Sequence, residues 1–300
     1  MRFISEDFLR KTTIITDECF NWLEETFLLK KNSILPAKIS MKPEENYFFN
    51  VMPGLIKKYN IMGTKIVSRI PDSTPLIKSN IFLYDLVNGN LKCILEGNYI
   101  TTLRTGALGA YTTLKFLNIQ EYYEVGLIGL GNVLTMTSFF LFDKLKNKRL
   151  KVKLYKYKET HIKFYEKFKF YTNIEFNFVD TYKEVIEGSD IIISGVSYMN
   201  ENFGDISWYK KGVVIVPIHT RGFQNLDIYA DTIIVDDMDH IRGFKYFNQF
   251  RRCIELANIL EKKEIGRKRK EDIILVYTIG ISLLDIIFSL KLLDKLSIDV

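Results

Sequence analysis

Residues 124–137 read EVGLIGLGNVLTMT, and this stretch decides the architecture. Four of its first five residues are apolar or glycine. Two glycines, Gly129 and Gly131, then flank Leu130, and the apolar positions beyond (Val133, Leu134, Met136, then Phe139, Phe140 and Leu141) suit a helix. Strand, glycine turn and helix in that order are the layout of a dinucleotide-binding unit. Gly129 lets the chain turn sharply out of the strand, and Gly131 lets main-chain N–H groups approach a pyrophosphate at the positive end of the helix. The third small position of the pattern holds Leu134, so the residues alone equally admit a strand-to-helix turn that needs its glycines only for geometry.

Outward from this turn, residues 125–237 alternate short β-rich runs with helical patterns. The runs are VGLIG, VKLY from Val152, IEFNFV from Ile174, DIIISGV from Asp190, VVIVPI from Val213 and TIIVDD from Thr232. They predict successive strands of a parallel sheet buried on both faces. Helices are predicted between them over 132–145, 160–170 and 181–187. This is a doubly wound α/β domain.

The first 120 residues follow another pattern. Amphipathic segments at 5–11 and 16–27 precede strand-like runs, KIVSRI from Lys65 and SNIFLYDL from Ser79, and LVNGNL supplies an Asn-Gly turn. KCILEG leads into a helix expected from about Thr102. A further short strand and long helix at 271–296 are expected to return to this N-terminal domain. The predicted division is therefore 1–118 with 260–300, and 119–259.

Composition excludes several classes. With 300 residues, 47% hydrophobic and 26% charged, the chain is an ordinary globular protein. Its 42 basic and 36 acidic residues leave +6, and the longest basic block is the short GRKRK run at 266–270, too diluted for a nucleic-acid footprint. Cys19, Cys93 and Cys253 are far apart and lack CxxC spacing, which suits a reducing compartment without a zinc site or disulfide framework. MRFISEDFLRK meets acidic residues before any apolar run, unlike a signal peptide. The apolar segment 273–293 is broken by Thr278, Gly280, Ser282 and Asp285, so no membrane span is expected. These features predict a cytoplasmic protein.

Around the glycine turn the chain carries GNYITTLRTGALGAYTTLKFL (97–117), with MPG at Met52, GTKIVSR at Gly63, GSDIIISGV at Gly188 and YTIGISLLD at Tyr277. In that order they resemble the ornithine cyclodeaminase and mu-crystallin family along nearly the whole chain; the most specific piece is the pair Arg104-Thr105. The resemblance implies a Rossmann-type doubly wound parallel sheet that binds NAD or NADP. It also implies a second α/β domain that forms a homodimer and holds a small amino or imino acid. The implied chemistry is hydride transfer at a Cα–N bond, with no metal. Thr105, Gly129, Gly131, Asn132 and Val133 are the implied cofactor contacts. Arg104, Lys65 and Lys38 are the implied contacts to the substrate.

These assignments make chemical sense. An amino acid carboxylate needs fixed cations, and Arg104 near an expected helix start would offer a forked donor beside a positive dipole end. Lys65 falls where the family has a substrate-contacting lysine. Lys38, near the family's carboxylate-binding arginine, lacks that fork and reads more readily as a solvated surface cation, a reading rejected for Lys65. Arg69 reads as structural or as part of the dimer surface.

Two positions depart from the family. At the end of the second strand, about 25 positions past the glycine turn, Lys156 stands where an NAD enzyme has a ribose-binding acid, with Lys158 nearby. Cations there favour NADP. In VPIHTRGFQNLD, where cyclodeaminases carry G-x-D-x-P-G-K-x-E, alignment on Gly222 puts His219 at the catalytic aspartate, Arg221 at the proline and Asn225 at the glutamate. Histidine can still transfer protons near neutrality, which makes His219 and Lys65 the catalytic candidates. The altered loop also admits a nucleotide-bound, crystallin-like binding protein that has lost catalysis, and His219 as a hydrogen-bonded loop residue. His161 reads as a surface residue and His240 as structural.

Overall fold

The computed structural model describes residues 2–44 and 46–298. The chain divides into two compact units, Met1–Arg104 with Gly280–Val300, and Thr105–Ile279. The boundary cuts a helix and lies earlier than the expected position near 118; the return to the first unit begins at Gly280 rather than near 260.

The first unit is built on a seven-stranded sheet. Its strands are β1 (Arg2–Ile4), β2 (Ser33–Ile34), β3 (Ile39–Met41), β4 (Phe48–Ile56), β5 (Ile61–Arg69), β6 (Ile77–Asp85) and β7 (Leu91–Glu96). Their order is β1-β7-β6-β5-β4-β2, with β3 also on β4. Along β5 the odd positions from Ile61 to Val67 are buried and the even ones half-buried, the period of two expected of a sheet covered on one face. Helices α1 (Glu6–Leu9), α2 (Thr16–Leu29) and the first turns of α3 (Asn98–Phe116) belong to this unit.

The second unit holds an eight-stranded, all-parallel sheet of β8 (Tyr122–Ile128), β9 (Arg149–Tyr155), β10 (Ile174–Val179), β11 (Ile191–Ser194), β12 (Val214–Pro217), β13 (Thr232–Val235), β14 (Cys253–Glu255) and β15 (Ile274–Tyr277). The order is β10-β9-β8-β11-β12-β15-β13-β14. The chain starts at β8, winds outward through β9 and β10, then returns to β11 on the other side. A crevice therefore opens at the carboxyl ends of β8 and β11, where ligands bind in such sheets. Helices α4 (Asn132–Lys144), α5 (Thr160–Phe168), α6 (Tyr182–Ile186) and α7 (Leu256–Leu260) belong to this unit. Every residue of β11, β12, β13 and β15 is buried, as strands covered on both faces require. The strand at 274–277 thus joins this sheet, correcting its expected place in the first unit; only the helix after it, α8 (Ser282–Lys295), returns there.

Two packing contacts prepare the functional residues. In the second unit a Cβ at Gly106 would lie 2.6 Å from Met136 Cγ, and one at Gly109 3.2 Å from Thr137 Cγ2. The small residues after Arg104 are there because α3 and α4 touch nearly backbone to backbone. In the first unit α8 lies on the sheet through Gly54 and Gly63, where added Cβ atoms would meet Ser282 Oγ at 2.6 Å and Ile286 Cγ1 at 3.1 Å. Trp22 of α2 meets Phe288 edge-on at 5.3 Å on the same helix. This close seating brings the first turns of α8 down to β5.

The basic run at 266–270 has a structural use. Arg267 is partly buried and donates to the carbonyls of Phe116 at 2.7 Å, Gly212 at 3.0 Å and Lys270 at 3.2 Å, which satisfies the end of α3 and fixes the loop before β15.

Candidate active site

In the first unit, Lys65 of β5 and Arg104 of α3 meet on one carboxylate. Asp285, one turn into α8, lies 2.8 Å through Oδ2 from Lys65 Nζ and 3.0 Å through Oδ1 from Arg104 Nε. All three are buried, Asp285 completely. Burial and the neighbouring Arg104 charge push Lys65 down to about 8; Lys38, before β3, adds to this and Asp285 opposes it. Two cations on one carboxylate, with Lys38 close enough to act on Lys65, leave a surplus of positive charge, the condition for receiving an anion.

Helix α3 begins at Asn98 rather than near Thr102. Asn98 Oδ1 accepts from Ser79 N at 2.8 Å, which ties the helix start to β6. Arg104 therefore sits in the second turn, beyond the reach of the terminal partial charge. Side chains fix it instead. A Cβ at Gly280 would collide with Arg104 Nη1 and lie 2.9 Å from Nη2. Gly280 also has φ +93°, so glycine is doubly required there. Arg69, at the end of β5, donates through Nη1 to the carbonyl of Asn46, a turn residue at φ 69°, which is a structural tie.

In the second unit the glycine turn lies at the carboxyl end of β8. Gly129 has φ +77°, and a Cβ there would be 2.7 Å from both Val196 N and Cγ2. Gly131 is the N-cap of α4, and nothing lies within 4 Å of where its Cβ would point. The open side of that cap, with Asn132 and Val133 opening the helix, fits a pyrophosphate on main-chain N–H groups. Leu134 is tolerated at the third small position because the glycine has moved across: Gly195, after β11, would place a Cβ 3.0 Å from Leu134 Cβ and 2.6 Å from Gly129 O. Thr105 is buried at the start of the second unit.

Lys156 follows β9 directly and pairs at 2.8 Å with Asp180, which follows β10. Lys158 has φ 49° and lies 5.4 Å over the Tyr157 ring. His219 stands two residues past the end of β12, half-buried. Its loop is held by Thr220 at φ 60°, by Gly222 at φ 86°, where a Cβ would strike the Phe203 ring, and by Phe203 N donating to Gly222 O at 2.8 Å. Asn225, at the position of the family's glutamate, instead donates to Gly204 O at 2.9 Å and clips the neighbouring loop. His161 is half-buried, edge-on to Phe178 at 5.3 Å, rather than free on the surface. His240 closes a short 3-10 turn.

Among the described residues no group of three or more His, Cys, Asp or Glu could hold a metal, and no helix is long and apolar enough to cross a membrane. Sequence reasoning missed Asp285, Gly280, Gly195 and Asp180. Of these only Asp285 carries a signal of its own, a single carboxylate inside the apolar run SLLDIIFSL.

Comparison with known proteins identifies the family and the fold. The model of the Ornithine cyclodeaminase/mu-crystallin family matches residues 9–297. A Delta(1)-pyrroline-2-carboxylate reductase of Bacillus thuringiensis subsp. konkukian is 24% identical over 269 residues, which cover 82% of this chain and 80% of that protein. The structure of Thermococcus litoralis Delta(1)-pyrroline-2-carboxylate reductase in complex with NADH and L-proline superposes with a TM-score of 0.86 at 22% identity, covering 98% of this chain and 97% of the other. An archaeal alanine dehydrogenase dimer with bound NAD superposes at 0.83 and 18% identity, covering 98% and 96%. At these identities the two structures establish a common fold.

Proposed function

The chain belongs to the ornithine cyclodeaminase/mu-crystallin family, and on that premise we propose that it is an NAD(P)-dependent oxidoreductase or cyclodeaminase acting at the C–N bond of a small amino or imino acid. The observation that carries this reading is the buried pairing of Lys65 and Arg104 on Asp285, with Lys38 near, which leaves positive charge for an α-carboxylate. Arg104 and Lys65 hold that carboxylate, and Lys38 adds attraction at longer range. His219 exchanges a proton with the substrate nitrogen. Gly129, Gly131, Asn132, Val133 and Thr105 would hold the dinucleotide, which when bound would supply or accept the hydride at Cα. The test is a panel of α-imino and α-amino acids, Δ1-pyrroline-2-carboxylate and L-proline among them, followed at the nicotinamide absorbance in both directions. Turnover of at least one imino acid is the expected result.

The replacement of the family's aspartate by His219 favours one other reading, a crystallin-like protein that binds the dinucleotide without turnover. It would quench or enhance cofactor fluorescence on binding and show no reaction with any member of the panel.

NADPH is expected to bind more tightly than NADH. Lys156 is more than a third exposed and its partner Asp180 mostly exposed, so their ion pair contributes little and a 2′-phosphate can displace it. Each well-formed charge-assisted contact to that phosphate would contribute about 1.5–3 kcal/mol. Fluorescence titration with both cofactors measures the ranking, and Lys156→Asp should reverse it. Equal affinities, or a preference for NADH, would remove the role given to Lys156 and Lys158.

The working unit is proposed to be a homodimer formed through the first unit. Ile34, Ile39, Met41 and Phe49, on β2, β3 and β4, are all at least 40% exposed. An apolar groove of about 450 Å³ lined by Ile34, Pro53, Leu55, Met62 and Tyr84 lies beside them. Exposed edge strands with this much apolar surface need a cover. This surface lies on β2 to β4, whereas β6 keeps its apolar side chains at least half covered. Sedimentation of a monomer at micromolar concentration would count against the dimer. Cys19, Cys93 and Cys253 are all free, which supports a reducing, cytoplasmic setting.

A further inference from the structure

Asp285 has no exposed surface and sits inside the apolar run from Leu283 to Phe288, all of it buried. A carboxylate there is costly unless it is paired. Replacing a buried ionic triad by well-packed apolar residues is often neutral or stabilising, so stability does not account for three charges at this place. The geometry does. Asp285 takes Nε of Arg104, the one donor on the flank of the guanidinium that carries the side chain's stem, and so sets the rotation of the fork. Gly280, without a Cβ, leaves the space that Nη1 and Nη2 occupy. The second oxygen of Asp285 anchors Lys65 Nζ, one of whose neighbours is the same Arg104.

We propose that Asp285 is the positioning residue of the carboxylate site: by holding Nε of Arg104 and Nζ of Lys65 it aims the Nη groups of Arg104 and the remaining protons of Lys65 at the substrate carboxylate. The assignment rests on the functional reading of this site given above. The charged groups facing Lys65 are Arg104 from α3, Asp285 from α8 and Lys38 from the chain before β3. Asp285 is the one that favours the protonated lysine. Without it, the lysine loses its proton, and the site part of its charge, at lower pH.

Two variants of the full-length protein separate positioning from charge balance, with acetate binding followed by NMR as the direct probe and Δ1-pyrroline-2-carboxylate reduction as the kinetic one. Asp285→Glu keeps the charge and lengthens the arm. It should lower kcat/KM by roughly ten- to a hundredfold through misalignment, while the loss of acetate binding at alkaline pH stays near pH 8 as in the wild type. Asp285→Asn should move that loss to lower pH. Wild-type acetate affinity and pH dependence in Asp285→Asn, or wild-type kinetics in Asp285→Glu, overturn the proposal; if Asp285→Asn does not fold, Asp285→Glu decides. A wild type that binds acetate without turning over any substrate refutes the functional reading alone, and acetate binding in the variants then settles the positioning role. A wild type that binds no acetate refutes the positioning role itself.

Discussion

Arg104→Ala is expected to lower kcat/KM for an imino acid by roughly two to four powers of ten, with KM rising and kcat falling together. The arginine offers two Nη donors to one carboxylate, and charge-assisted bonds contribute about 1.5–3 kcal/mol each, so their joint loss is about 3–6 kcal/mol. Both bonds exist in the ground state and the transition state, and they also fix Cα for hydride transfer, which is why both constants move. Arg104→Lys should restore little, because an ammonium cannot make the fork that Asp285 orients. The pH dependence gives an independent sign. Arg104 is one of the groups that depress Lys65, so in Arg104→Ala the loss of carboxylate binding at alkaline pH should move above about 8, the value to which Lys65 is pushed down in the wild type. Asp285→Asn moves it the other way. An Arg104→Ala enzyme with unchanged KM would show that the carboxylate is held elsewhere.

The same depressed lysine affects stability. Lys65 titrates near 8 in the folded chain and at its ordinary 10.5 when unfolded. Between those values the unfolded chain binds a proton that the folded chain has released, so stability rises with pH through that window. Below pH 8 both forms are protonated and the cost of burying the cation is fully present.

Much of this fold was legible because its signals are local. The strand predicted at 174–179 is β10 residue for residue, and the glycine turn at 129–131 lies where its spacing put it. The errors are places where a local signal has no direction. An apolar run such as IILVY at 273–277 states that a strand is buried, not which sheet buries it, and β15 went to the parallel sheet. Helix α3 starts four residues before the expected Thr102 because Asn98, its first residue, is tied through its side chain to Ser79 of β6, a contact that local sequence does not display. The site was half legible. Lys65 and Arg104 stand in recognisable motifs, but Asp285 acts across 181 positions of sequence, a separation that no periodicity spans. Gly195 escaped for a related reason: the small residue the dinucleotide turn requires was moved to the loop after the neighbouring strand β11, and only the packed structure shows the exchange.

His219→Ala should lower turnover by about two to four powers of ten, the usual worth of a positioned acid or base, and leave cofactor affinity nearly unchanged. The residue follows β12 at the carboxyl edge of the parallel sheet, on a loop whose backbone is pinned by Thr220 and Gly222. A backbone so held keeps the imidazole in one place, as proton transfer requires. In imine reduction the nitrogen needs a proton as Cα receives the hydride, so the acid form of His219 is the active one. The rate should then fall as pH rises through a value near the ordinary histidine pKa of about 6.5. His219→Asp, which restores the family's residue, should recover part of the rate and move that fall toward the ordinary aspartate range near 3.9, since only the protonated carboxyl can donate. If His219→Ala keeps full activity on a substrate the wild type reduces, the histidine is a loop residue and the proton comes from Lys65 or from water. The profile itself distinguishes these: with Lys65 as the acid, the only fall in rate would lie near 8, and Asp285→Asn would shift it to lower pH.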